Sequence, residues 1–92
     1  MQTDRRAVGV FDRELGAAVR QHRLLAGVSQ EDLAGRVGVT FQQVQKYEKG
    51  VNRMSAARFF DIADKLGVAP MVLAGGAIRA RTKATRGKAQ RG

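Results

Sequence analysis

Four glycines punctuate the middle of this chain, and each is followed within a few residues by a side chain suited to starting a helix. Gly27 precedes Ser29, Gly38 precedes Thr40, Gly50 precedes Ser55, and Gly67 precedes Pro70. Glycine ends helices because the residue past the last turn commonly turns left-handed. Ser and Thr open them by accepting a hydrogen bond from an orphan amide, and Pro loses nothing in a first turn where its missing N–H is not needed. Between these marks there is room only for short helices, and no period-two apolar alternation suggests a strand.

The apolar spacing fills in the segments. Asp12 is expected to cap a first helix from Arg13 to about Ala26, with Leu15, Val19, His22 and Ala26 inward and Gly27 as its stop; residues 1–11 are read as a flexible lead. Ser29 and Asp32 form a capping box for a second helix from Gln30, with Leu33, Ala34 and Val37 on its inner face. Thr40 caps a third helix, Phe41 to Lys49, and Ser55 caps a fourth in which Phe59, Ile62, Ala63 and Leu66 repeat at helical spacing. A short fifth helix is expected over 70–74, with Gly75 and Gly76 ending the ordered structure. The fold class is therefore all-α: a compact five-helix domain over 12–76 with a basic tail, 77–92.

That tail holds six of the seventeen Lys and Arg residues, namely Arg79, Arg81, Lys83, Arg86, Lys88 and Arg91, and no acid. It offers little to bury against the entropy of ordering, so disorder is the expectation. The net charge of +9 favours phosphate-bearing partners. With no cysteine and a single histidine, His22, the chain lacks the means for a thiolate metal site, a disulfide or a cysteine nucleophile; no enzyme activity, cofactor or metal is expected. The longest apolar stretch, Val68 to Ala74, is interrupted by Pro70 and falls far short of the roughly 20 residues of a membrane helix, so a soluble cytoplasmic protein without membrane contact is expected.

The second and third helices, joined by Gly38-Val39-Thr40, have the spacing of a helix-turn-helix: small Ala34 where the helices cross, Gly38 at the sharp turn, and Leu33, Val37, Val44 and Tyr47 locking the pair. With SQEDLA, GVT, YEKG and the Asn52-Arg53 pair, the stretch from Leu15 to Leu73 resembles the phage repressor and Cro-like, or XRE, family of DNA-binding proteins. The resemblance implies a lambda-repressor-like five-helix domain of a bacterial or phage protein that binds double-stranded DNA, usually as a homodimer, with the third helix in the major groove. It also implies a structural ion pair between Arg23 and Glu48. His22 departs from the family, which usually has an apolar residue there; a half-buried imidazole is expected.

At about 100° per residue, Val44, Tyr47 and Glu48 face inward on the third helix while Gln42, Lys46 and Lys49 face out. Phe41, Gln42, Gln43, Gln45 and Lys46 are the candidate base-reading residues: glutamine matches adenine, lysine matches guanine, and Phe41 suits a thymine methyl. Gln30, Thr40, Lys49, Asn52, Arg53 and Arg58 are the candidate phosphate contacts, with Gln30, Asn52 and Arg53 favoured by the resemblance. A transcriptional regulator, most simply a repressor, is the function expected, and Met71, Val72 and Leu73 are its candidate dimer patch. The alternatives are an antitoxin that uses the same domain and also binds a toxin protein, and a non-specific basic nucleic-acid-binding protein.

Overall fold

The structure, a computed structural model, describes the backbone of residues 5–91 and the side chains of residues 9–86. Five helices follow one another, α1 (Arg5–Leu25), α2 (Gln30–Val37), α3 (Phe41–Lys49), α4 (Ala56–Leu66) and α5 (Pro70–Arg91), with no strand among the described residues. The three hydroxyl caps are in place: Ser29 accepts from the Asp32 amide at 3.0 Å, Thr40 from that of Gln43 at 3.1 Å, and Ser55 from that of Arg58 at 3.1 Å. Each such cap is worth about 1 kcal/mol.

One core joins all five helices. Its fully buried large side chains are Val19 from α1, Leu33 from α2, Val44 from α3, Ile62 from α4 and Leu73 from α5, each stabilising the fold by roughly 1.5–3 kcal/mol. A smaller cluster of Leu15, Ala74 and Ala77 sits between α1 and α5, with Phe11, Met54 and Phe59 packed on it. Two glycines let α1 meet the end of α3 backbone to backbone. A Cβ at Gly16 would overlap the Tyr47 carbonyl oxygen and lie 2.8 Å from that of Glu48, and one at Gly50 would lie 2.6 Å from the Arg13 Cα.

The ends of the chain differ from the expectation. Helix α1 starts at Arg5, two turns before Asp12, so Asp12 is an interior helical residue and not a cap; its carboxylate is paired with Arg53 instead. At the other end, α5 does not stop at 74 but runs through Gly75 and Gly76 to Arg91. The reason is tertiary: α5 lies along α1, and Ala74 and Ala77 are buried against Leu15, which offsets the cost of about 1 kcal/mol that each helical glycine carries. Residues 1–4 and 92 lie outside the described residues. Ala26, expected on the inner face, lies in the turn past the end of α1 and is exposed, while on α1 itself Arg23 takes the buried position and His22 is half-buried. Leu73 is a core residue, so of the expected dimer patch only Met71 and Val72 remain on the surface.

Candidate nucleic-acid interface

The turn between α2 and α3 is built on Gly38, at φ 77°, where an L side chain would be strained. The amides of Gly38 and Val39 both donate to the Ala34 carbonyl, at 2.9 and 3.0 Å, satisfying the end of α2. Helix α3 then starts from Thr40 and buries Val44, Tyr47 and Glu48. Its inner face is consumed by packing.

Glu48 is held by three donors from two elements. Arg23 gives Nε to Oε2 at 2.6 Å and Nη2 to Oε1 at 3.1 Å, and Gln30 gives Nε2 to Oε1 at 2.9 Å. The remaining Arg23 Nη1 donates to the Val28 carbonyl at 2.9 Å, across the α1–α2 turn. The side chains of Arg23 and Glu48 are only 8% and 3% exposed, so this is a desolvated, forked pair in which every guanidinium nitrogen and both carboxylate oxygens are hydrogen-bonded. It ties α1, the start of α2 and the end of α3 into one frame.

On the opposite face of α3, Gln42, Lys46 and Lys49 are exposed, and among the described residues their side chains enter no hydrogen bond or ion pair, while Phe41, at the start of the helix and 36% exposed, turns toward the concavity at the start of α2. Gln43 and Gln45 are half-buried on its flanks. Gln45 donates at 3.4 Å to Gln30 Oε1, so its amide is partly engaged inside the protein. The candidate base-reading set therefore divides into an outward row and two flanking amides.

The candidate phosphate contacts are placed unevenly. Thr40 spends its hydroxyl on the cap, although it is exposed, and Gln30 spends its amide on Glu48. Arg58 is half-buried and donates Nη1 to the Val37 carbonyl at 2.6 Å, closing the C-terminal end of α2. Arg53 is exposed but pairs with Asp12 at 3.3 Å, and Asn52 is half-buried in the α3–α4 loop. Among the described residues, Lys49 at the end of α3 has no ion-pair partner. The sequence reading passed over Arg20, an exposed α1 residue that lines an open concavity with Ser29, Gln30, Glu31 and Phe41 at the start of α2. Its position three residues before Arg23, hence on the adjoining helical face, was the available signal.

These elements coincide with a helix-turn-helix family model, HTH_3, which matches residues 19–73. The chain belongs to the HTH_3 family, of XRE or Cro/C1 type. A transcriptional regulator from the ATPase CF(0) region of Rhodospirillum rubrum is 49% identical over 67 residues, which cover 73% of this chain and 62% of that protein. An HTH-type transcriptional regulator of Sinorhizobium fredii is 48% identical over 66 residues, 72% of this chain and 46% of that protein. The chain thus spans about half to three-fifths of the length of these relatives. Among solved structures, the restriction-modification controller protein C.AhdI of Aeromonas hydrophila superimposes with a TM-score of 0.64 at 30% identity, covering 66% of this chain and 92% of that one. The fold of this HTH_3 protein is accordingly lambda-repressor-like. No described helix is long and apolar enough to cross a membrane.

Proposed function

We propose that this protein is a sequence-specific regulator of transcription that binds double-stranded DNA as a homodimer, acts as a repressor by occupying an operator in the cytoplasm, and performs no chemistry of its own. The observation that carries this reading is the division of labour on α3. Its inner side chains and the Arg23–Glu48 frame fix the helix, while Gln42, Lys46 and Lys49 project with no partner among the described residues and Phe41 flanks them at the helix start. Long polar side chains on a rigid helix suit base edges in a major groove, where glutamine meets adenine and lysine meets guanine. Phosphate contacts are assigned to Arg20, Lys49, Asn52 and Arg53, with Gln30, Thr40 and Arg58 shaping the surface from within. The regulators named among the relatives support the same reading.

Selection of bound sequences from random duplexes tests it. The expected result is an inverted repeat with half-sites about one helical turn, roughly 34 Å, apart. Equal affinity for selected and scrambled duplexes across a salt titration would instead identify a general nucleic-acid coat and sink the operator reading.

A further inference from the structure

Resting on the DNA-binding reading, we propose that the exposed face of α5 beyond Ala77 is a second binding surface for the duplex backbone. Three observations converge on it. The first is order without an internal electrostatic partner. Counted from buried Ala77 at about 100° per residue, Arg79, Lys83 and Arg86 fall about 180–240° round the helix, on the side away from α1. All three are exposed, and among the described residues none enters an ion pair. No Asp or Glu occurs after Asp64, so the element itself supplies no counter-charge. Like charges at i, i+4 weaken a helix, which leaves an external polyanion as the stabilising partner for this stripe.

The second observation is position. Arg81, on the side of α5 toward α1, lines an open concavity of about 360 Å³ with Phe11, Asp12, Arg53 and Met54. Two guanidinium groups from distant parts of the chain thus meet beside the α3–α4 loop, and Asp12, whose side chain is 14% exposed, engages Arg53 at 3.3 Å. Arg81 thus places one edge of the basic helix beside the loop assigned to phosphate contact, while Arg79, Lys83 and Arg86 stand on the other side of that helix. Asp12 is the internal competitor that a phosphate would displace.

The third is spacing. From Arg79 to Arg86 the helix rises about 10 Å at 1.5 Å per residue. One DNA strand presents a phosphate about every 3.4 Å along the duplex axis, so the stripe matches roughly three phosphates. A surface of this kind adds affinity and association rate and reads no bases.

The test uses the full chain with Arg79, Lys83 and Arg86 all replaced by Ala, checked for helix content by circular dichroism. On a selected duplex with about ten flanking base pairs each side, the slope of log affinity against log salt is expected to fall by up to about 2.7 per protomer, at 0.9 per lost contact, with the preference over scrambled DNA unchanged. Trimming the flanks is expected to bring the parent chain down to the slope of the triple variant. Asp12→Asn is expected to strengthen binding to every duplex by about two- to fivefold, by freeing Arg53 from an exposed pair. An unchanged slope overturns the proposal. So does a slope change that is indifferent to flank length, which would show only a long-range field. A triple variant that binds DNA like the parent but loses adsorption to phosphatidylglycerol vesicles would assign the surface to a membrane and overturn it equally. Failure of the parent chain to bind any duplex is a separate result, which removes the DNA reading and this proposal together.

Discussion

The Glu48 carboxylate is tightly constrained, because its oxygens receive Arg23 twice and Gln30 once while its side chain is 3% exposed. Removing one partner leaves the other charge buried without compensation. Glu48→Ala is therefore expected to destabilise the fold by about 3–5 kcal/mol, read as a lower urea midpoint at unchanged slope. Replacing Arg23 and Glu48 together with apolar residues of similar volume is expected to cost much less than either single change. The outward row behaves differently, since it supports nothing. Gln42→Ala and Lys46→Ala are expected to leave stability within about 0.5 kcal/mol and each to remove roughly 1–3 kcal/mol of discrimination at one base pair, measured with duplexes altered singly at that position. Loss of affinity equal on all duplexes would move either residue to a phosphate role. Inward and outward positions on α3 were legible from periodicity alone. The hydrogen bonds of Gln30 to Glu48 and of Arg58 to Val37 were not, because a long polar side chain reaches partners 18 and 21 residues away, and no local pattern encodes that.

At the scale of elements, the central three helices were readable because their boundaries are local chemistry. Ser29, Thr40 and Ser55 each satisfy an amide three residues on, and Gly38, Gly50 and Gly67 each adopt positive φ just after a helix. The outer two helices were misjudged for the complementary reason. Nothing between Arg5 and Asp12, or beyond Gly76, announces a helix locally; what sustains α1 and α5 is their packing on each other through Leu15, Ala74 and Ala77. Gly75 and Gly76 read as a stop only when that pairing is ignored. The same logic hid Gly16, which in sequence is an unremarked glycine in a helical run and in space is where α1 meets the α3 carbonyls. Gly16→Ala, normally favourable in a helix, is here expected to destabilise by at least about 1–3 kcal/mol, because the obstruction is backbone that cannot rotate away. Gly35→Ala is the control: a Cβ there meets nothing within 4 Å, so a gain of up to about 1 kcal/mol is expected from the same chemical change. Thermal or urea unfolding of the two variants separates helix propensity from helix packing.

At the scale of the whole molecule, the shape bears on how the protein would be doubled. On the proposed function, α3 with its nine residues would span only a few base pairs, so pairing with a second copy on a symmetric site would add selectivity. The surface we propose for that pairing is the turn from α4 into α5, where Met71 and Val72 are 74% and 63% exposed beside Phe60 at 54%, while their neighbours Ala63 and Leu73 are buried. Phe60 lines a concavity there with Val68, Ala69 and Pro70. A charge at Met71 or Val72 costs the folded monomer little, because these positions already face water, but it would have to be desolvated in a dimer; at Phe60 it would also remove the edge contact with Phe59 at 5.4 Å between ring centroids. Met71→Glu and Val72→Glu are therefore expected to leave the unfolding midpoint close to that of the parent and to weaken self-association at least tenfold, about 1.4 kcal/mol, in sedimentation equilibrium. Binding to a single half-site should survive these changes, because α3 and the Arg23–Glu48 frame are untouched. Binding to the full inverted repeat should lose its advantage over the half-site by the same factor, since that advantage is the effective concentration supplied by the paired copy. Equal weakening on half and full sites would place these residues at the DNA surface, and no change in either would leave the pairing to another face.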